Sequence, residues 1–135
     1  MVRGGGSAIA GLLLCAGAAM AGTPPALYTA QQAAAGASIF AQTCAMCHGA
    51  DMRGGAGPAL IGQSFAAAGN DSTIGGVFSV LAQQMPASAP GSLTHAQDED
   101  AMAYILKQNG YPAGATPLDF KTSLTSAAPL VSPAN

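Results

Sequence analysis

Cys44-Ala45-Met46-Cys47-His48 puts two thiols and an imidazole side by side in a chain that has only three cysteines and two histidines in 135 residues. Cysteines at this spacing lie on one side of a helical turn, and the imidazole follows the second thiol directly. The stretch after it carries Gly49, Gly54, Gly55, Gly57 and Gly62, which marks it as loop with unusual backbone freedom. The rest of the chain offers little to build a core from. It has four Phe, three Tyr and no Trp, and Ala and Gly are its commonest small residues. Small side chains bury little area each. A short chain of this kind needs a disulfide, a metal or a large bound group to stay folded.

Residues 1–21 read as an export signal. Arg3 gives a positive start, Ile9 to Ala19 is apolar and uncharged, Ala19-Met20-Ala21 is a small-x-small cleavage site, and Gly22-Thr23-Pro24-Pro25 breaks any helix beyond it. The apolar run is short of the roughly 20 residues that span a bilayer. Cys15 follows Leu12-Leu13-Leu14, and a bulky residue there is wrong for lipoprotein processing. The expected mature chain, residues 22–135, therefore has no transmembrane segment and lies in the periplasm, an oxidising compartment. Loss of Arg3 and Cys15 takes the net charge from −2 to −3 and leaves Cys44 and Cys47 as the cysteines. With no basic patch, nucleic acid is excluded as a partner.

The mature chain reads as one domain, a body over about 28–114 and a Pro/Ser/Thr-rich tail over 115–135. Thr29 with Gln32 and Thr94 with Gln97 are capping boxes. The first predicts a helix from about Ala30 to Cys44 with Gly36, Phe40 and Cys44 on its inner face. Gly36 costs about 1 kcal/mol relative to Ala in a helix interior, so it points to close approach by another helix. Residues 49–71 read as loop, Val77 to Gln84 as a short helix ended by Pro86, and the second box as the start of a helix through "AMAYILKQ". Ala101, Tyr104 and Ile105 should face inward. Asp98, Glu99 and Asp100 should form a solvated, dipole-compatible helix start. Asn109-Gly110 stops that helix. The tail either wraps the surface or is disordered. No strand pattern and no internal repeat is evident.

C-x-x-C-H is the attachment sequence for c-type haem. Both sulfurs can reach the vinyl groups on one edge of the ring, and His48 is placed to put a nitrogen on the iron. Zinc is a poorer reading, since it needs about four ligands and His95 is the other imidazole available. A thioredoxin-like redox pair belongs with a βαβ pattern that is missing. A plain structural disulfide remains a further alternative.

These residues, with "CAMCHGADMRGGAGPALIG", "MPASAPGSLT" and "DAMAYILKQNGYPAG", resemble the class I c-type cytochromes, small bacterial proteins with one haem. The resemblance runs from Gly36 to Gly114. It is strongest to cytochromes that act beside periplasmic quinoprotein dehydrogenases. One departure is His95-Ala96 at the start of the last helix, where acidic residues are more usual. The resemblance implies that Gly57-Pro58 sets the Pro58 carbonyl against the His48 imidazole. It also implies that Met85 closes the sixth position of the iron, ahead of Met46, Met52, Met102 and His95. Tyr104 is a possible haem-packing residue.

The expected fold is all-α, with three to five short helices wrapped around one covalently attached haem. The expected function is periplasmic single-electron transfer, not catalysis. A dehydrogenase would be the donor, and an oxidase or another cytochrome the acceptor. The alternative is a haem protein with an open sixth position acting in catalysis or small-ligand binding. Sparse charge, 7% of residues, gives little electrostatic steering, so docking would depend on an apolar patch at the haem edge.

Overall fold

The computed structural model describes Met1 and residues 22–133; the expected export signal otherwise lies outside the described residues. Its helices are α1 (Ala30–Ile39), α2 (Ala45–His48), α3 (Gln63–Ala66), α4 (Ile74–Gln84), α5 (His95–Gln108) and α6 (Phe120–Leu124). A π-helical turn, Phe40–Cys44, joins α1 to α2 without a break, so residues 30–48 form one helical run. The architecture is all-α. Among the described residues the extended contacts are two isolated bridges, Tyr28 with Ala113 and Thr73 with Pro129. No described helix is long and apolar enough to cross a membrane.

Both capping boxes form. Thr29 and Gln32 start α1, and Thr94 and Gln97 start α5. In each, the threonine hydroxyl accepts a backbone N–H and the glutamine reaches back to the cap, which satisfies two of the orphaned donors at a helix start. α1 and α5 cross as the main helix pair. Gly36 makes the crossing possible: a Cβ there would overlap the Asp100 carbonyl and come within 2.9 Å of the Tyr104 Cβ.

α4 begins at Ile74 rather than Val77. Thr73 caps it by accepting the Gly76 N–H at 3.0 Å. Gly75, in the first turn of α4, has a packing role, because the tail runs against it. Gly75 donates to the Ser126 carbonyl at 3.0 Å, and a Cβ on Gly75 would lie 2.7 Å from that oxygen.

The tail wraps the body. Leu118 and Leu130 are buried in the main core with Tyr28, Phe78, Met102, Leu106 and Tyr111. Ser132 donates its N–H to the Ala66 carbonyl, and its hydroxyl accepts the Gly62 N–H, both at 2.8 Å. Gln32 holds the tail's start through paired bonds with the Leu118 backbone, 2.9 Å each. These are long-range pairings to backbone groups, which no local pattern announces.

The expectation that Asp98, Glu99 and Asp100 form a solvated helix start is corrected. Asp98 is 2% exposed, Glu99 and Asp100 are half-buried, and Glu99 accepts the Phe120 N–H at 2.8 Å. α6 packs against this end of α5, with the His95 ring stacked on Phe120 at 3.6 Å, and so removes the acidic turn from water.

Candidate functional site

The π-helical turn sits immediately before the C-x-x-C-H segment. The Ala45 N–H reaches back to the Phe40 carbonyl, one residue further than in an α-helix. The extra residue resets which side chains of α2 share the face of α1. Cys44 is half-buried and Cys47 exposed, both as free thiols. Burial pushes the Cys44 thiol up, and neighbouring Cys47 adds to this. Met46 between them is 88% exposed and points outward.

His48 ends α2 and is 8% exposed. Gly49 turns the chain at a φ of 80°, and the following loop folds back over the helix end. Its N–H groups occupy the carbonyls that the short helix leaves open. Gly54 donates to the His48 carbonyl at 2.9 Å, and Gly57 to the Cys47 carbonyl at 2.7 Å. This return brings the Pro58 carbonyl to 2.8 Å from His48 Nδ1. A carbonyl only accepts, so Nδ1 carries a proton, and in the neutral ring the lone pair is then on Nε2. A Cβ on Gly57 would sit 3.0 Å from His48 Cε1 and 3.1 Å from Nδ1, so the loop lies flat against the imidazole because residue 57 has no side chain.

A separate small apolar cluster backs this corner. Phe40, Met52 and Ile105 are buried in it, with Cys44, Ala45, Leu60, Ile61, Phe65 and Tyr104 packed around them. The Phe40 and Tyr104 rings lie 5.6 Å apart at 52°. Cys44, Cys47, His48, Pro58 and Tyr104 thus belong to one corner of the fold. Met85 is the C-cap residue of α4, half-buried against the main core. Met52 and Met102 are both buried, in the small cluster and the main core respectively. His95 is engaged with Phe120.

Asn109 was legible in the sequence only as a helix stop. It is 1% exposed, and its amide donates to the Leu60 carbonyl at 2.9 Å and the Ile105 carbonyl at 2.8 Å. An asparagine at a helix end looks the same in sequence whether it caps its own helix or grips a loop 49 residues away.

A family model described as "Cytochrome C oxidase, cbb3-type, subunit III" matches residues 31–105, more than half of the chain. The chain belongs to this c-type cytochrome family. The cytochrome fold is also similar to that of a chain in the crystal structure of the sulfane dehydrogenase SoxCD from Paracoccus pantotrophus. The TM-score is 0.54 and the identity 25%. The match covers 75% of this cytochrome and 53% of the SoxCD chain, so the cytochrome spans about half the length of that relative. No curated protein matches. A c-type cytochrome domain is a haem-based electron-transfer unit whose cofactor is haem c. The donor set described above fits such a group: two thiols one turn apart, and an imidazole with Nδ1 engaged and Nε2 free.

Proposed function

We propose that the protein is a periplasmic single-electron carrier with one haem c, joined covalently to Cys44 and Cys47 and ligated by His48 and Met85. The observation that carries this reading is the 2.8 Å bond from His48 Nδ1–H to the Pro58 carbonyl. It orients the ring, raises its basicity and leaves Nε2 as the ligating atom. Bound haem supplies the one-electron Fe(II)/Fe(III) couple. Met85 follows from the family resemblance, which places the other candidates elsewhere. Met46 is 88% exposed, Met52 and Met102 are 2% and 0% exposed, and His95 is stacked on Phe120. A thioether is a poorer donor to Fe(III) than a second imidazole and favours a higher potential. Tyr104 and the small apolar cluster would pack against the ring.

The likeness to a chain of the sulfane dehydrogenase SoxCD supports a dehydrogenase as electron donor; a quinoprotein enzyme as that donor comes from the sequence resemblance alone. An oxidase or another cytochrome would accept the electron. The role is that of a carrier or carrier subunit, with no substrate chemistry of its own. Export would remove residues 1–21, and intact-mass spectrometry should show a chain starting at Gly22.

The deciding experiment is spectroscopic. The wild type should keep its haem through acid-acetone extraction, be low-spin in both oxidation states and show a weak far-red sulfur-to-iron band. Met85→Ala should abolish that band and admit carbon monoxide to the ferrous form while the haem stays attached. A high-spin wild type that binds carbon monoxide readily would instead support catalysis or small-ligand binding at an open iron. Persistence of the far-red band in Met85→Ala would remove Met85 as a ligand.

A further inference from the structure

The Pro58 carbonyl reaches the His48 imidazole from a loop, and a loop needs anchors to hold a hydrogen bond in place. On one side of Pro58, Gly57 is tied to the Cys47 carbonyl at 2.7 Å. On the other side the next fixed point is Leu60. Its N–H donates to the Met52 carbonyl at 2.8 Å, and its carbonyl accepts from the Asn109 amide at 2.9 Å. The bond to Met52 is internal to the loop and moves with it. Asn109 ties Leu60 to the end of α5, outside the loop. Its other donated bond goes to the Ile105 carbonyl at 2.8 Å, and its own N–H bonds the Ile105 and Leu106 carbonyls, both at 3.1 Å, so it is held by the last turn of the helix.

The chemistry of the side chain is specific. Two neighbouring carbonyls need two donors from one short, buried group, and a carboxamide NH2 supplies them. Placing both N–H groups on carbonyls leaves Oδ1 buried without a partner. Leaving a buried acceptor without a partner is costly. The amide is therefore oriented by what it holds and not by satisfying all its own atoms.

We infer that Asn109 is a positioning residue for the haem ligand. By fixing the Leu60 carbonyl against α5 it keeps the Pro58 carbonyl on His48 Nδ1–H and so holds down the reduction potential. The inference rests on the reading of His48 as an axial ligand. A hydrogen bond from Nδ1–H makes the imidazole a stronger donor, which favours Fe(III); a loosened bond weakens that donation and raises the potential.

The test uses the full-length holoprotein and its Asn109→Leu and Asn109→Asp variants. Asn109→Asp keeps the volume and can donate to at most one of the two carbonyls. Two quantities are measured: the midpoint potential, by spectroelectrochemistry, and the exchange rate of the His48 ring N–H with solvent, from its hyperfine-shifted NMR signal. Gln32→Ala serves as the control, because it removes the paired bonds to Leu118 and touches nothing in the 49–62 loop. Both Asn109 variants should shift the potential upward and speed ring N–H exchange about tenfold or more, while Gln32→Ala leaves both unchanged. If Asn109→Leu does not fold, Asn109→Asp alone decides. Wild-type potential and exchange in a folded Asn109 variant would overturn the inference, and so would an equal shift in Gln32→Ala. A wild type with no His48-ligated low-spin haem would overturn the electron-carrier reading itself, which is a separate result.

Discussion

Replacing Asp98 with asparagine should stabilise the protein at neutral pH and flatten its pH dependence. Asp98 is 2% exposed, and its Oδ1 is buried with no hydrogen-bond partner. Burial pushes its carboxyl from the ordinary 3.8 up to about 6; Glu99 adds to the rise and His95 opposes it. The folded protein thus binds this proton more tightly than the unfolded chain does. Stability is fully retained below the unfolded value, falls as pH rises from about 4 through about 6, and levels off above. A shift of about two units corresponds to at most about 3 kcal/mol. Solvent screening one turn from the exposed Thr94 and His95 reduces the expected cost to about 1–2 kcal/mol. Asparagine keeps the shape and cannot ionise. Denaturant unfolding of both holoproteins across this range, read as a difference curve, isolates the effect. Asp100, also pushed up by burial and then by Glu99, is common to both proteins and cancels. The variant should match wild type near pH 4 and exceed it by about 1–2 kcal/mol near pH 7. A difference that does not change with pH, or an asparagine variant less stable at neutral pH, would refute the reasoning.

Gly36→Ala should separate α1 from α5, because the added Cβ overlaps the Asp100 carbonyl; a loss of about 2–3 kcal/mol in denaturant unfolding is expected, and an unchanged midpoint would mean the helices can slide apart freely. Tyr28→Phe should cost about 1–3 kcal/mol, since the Tyr28 hydroxyl donates to the Tyr111 carbonyl at 2.6 Å in the core; thermal unfolding checks it, and a shift within error would show that the carbonyl finds another partner.

Much of this protein was written locally. The threonine–glutamine pairs start α1 and α5 because a capping box involves residues only three apart. Gly36 announced a helix crossing because a glycine mid-helix is costly unless something comes close. The C-x-x-C-H run, with its glycine-rich sequel, pointed to haem c, in line with the family match, because thiol spacing on a helix is a local property. What the sequence left open depended on partners far along the chain. The helix expected from Val77 begins at Ile74, and the tail that packs against Gly75 comes from about 50 residues further along the chain. Asp98, Glu99 and Asp100 looked solvated because nothing near them signals that α6 will cover the end of α5. Asn109 read as a stop signal because its grip on Leu60 crosses the whole fold. Local hydrogen-bonding and spacing rules are encoded within a helical turn or two. Burial is not, because it is set by which distant segment arrives to exclude water, and that is a property of the assembled chain.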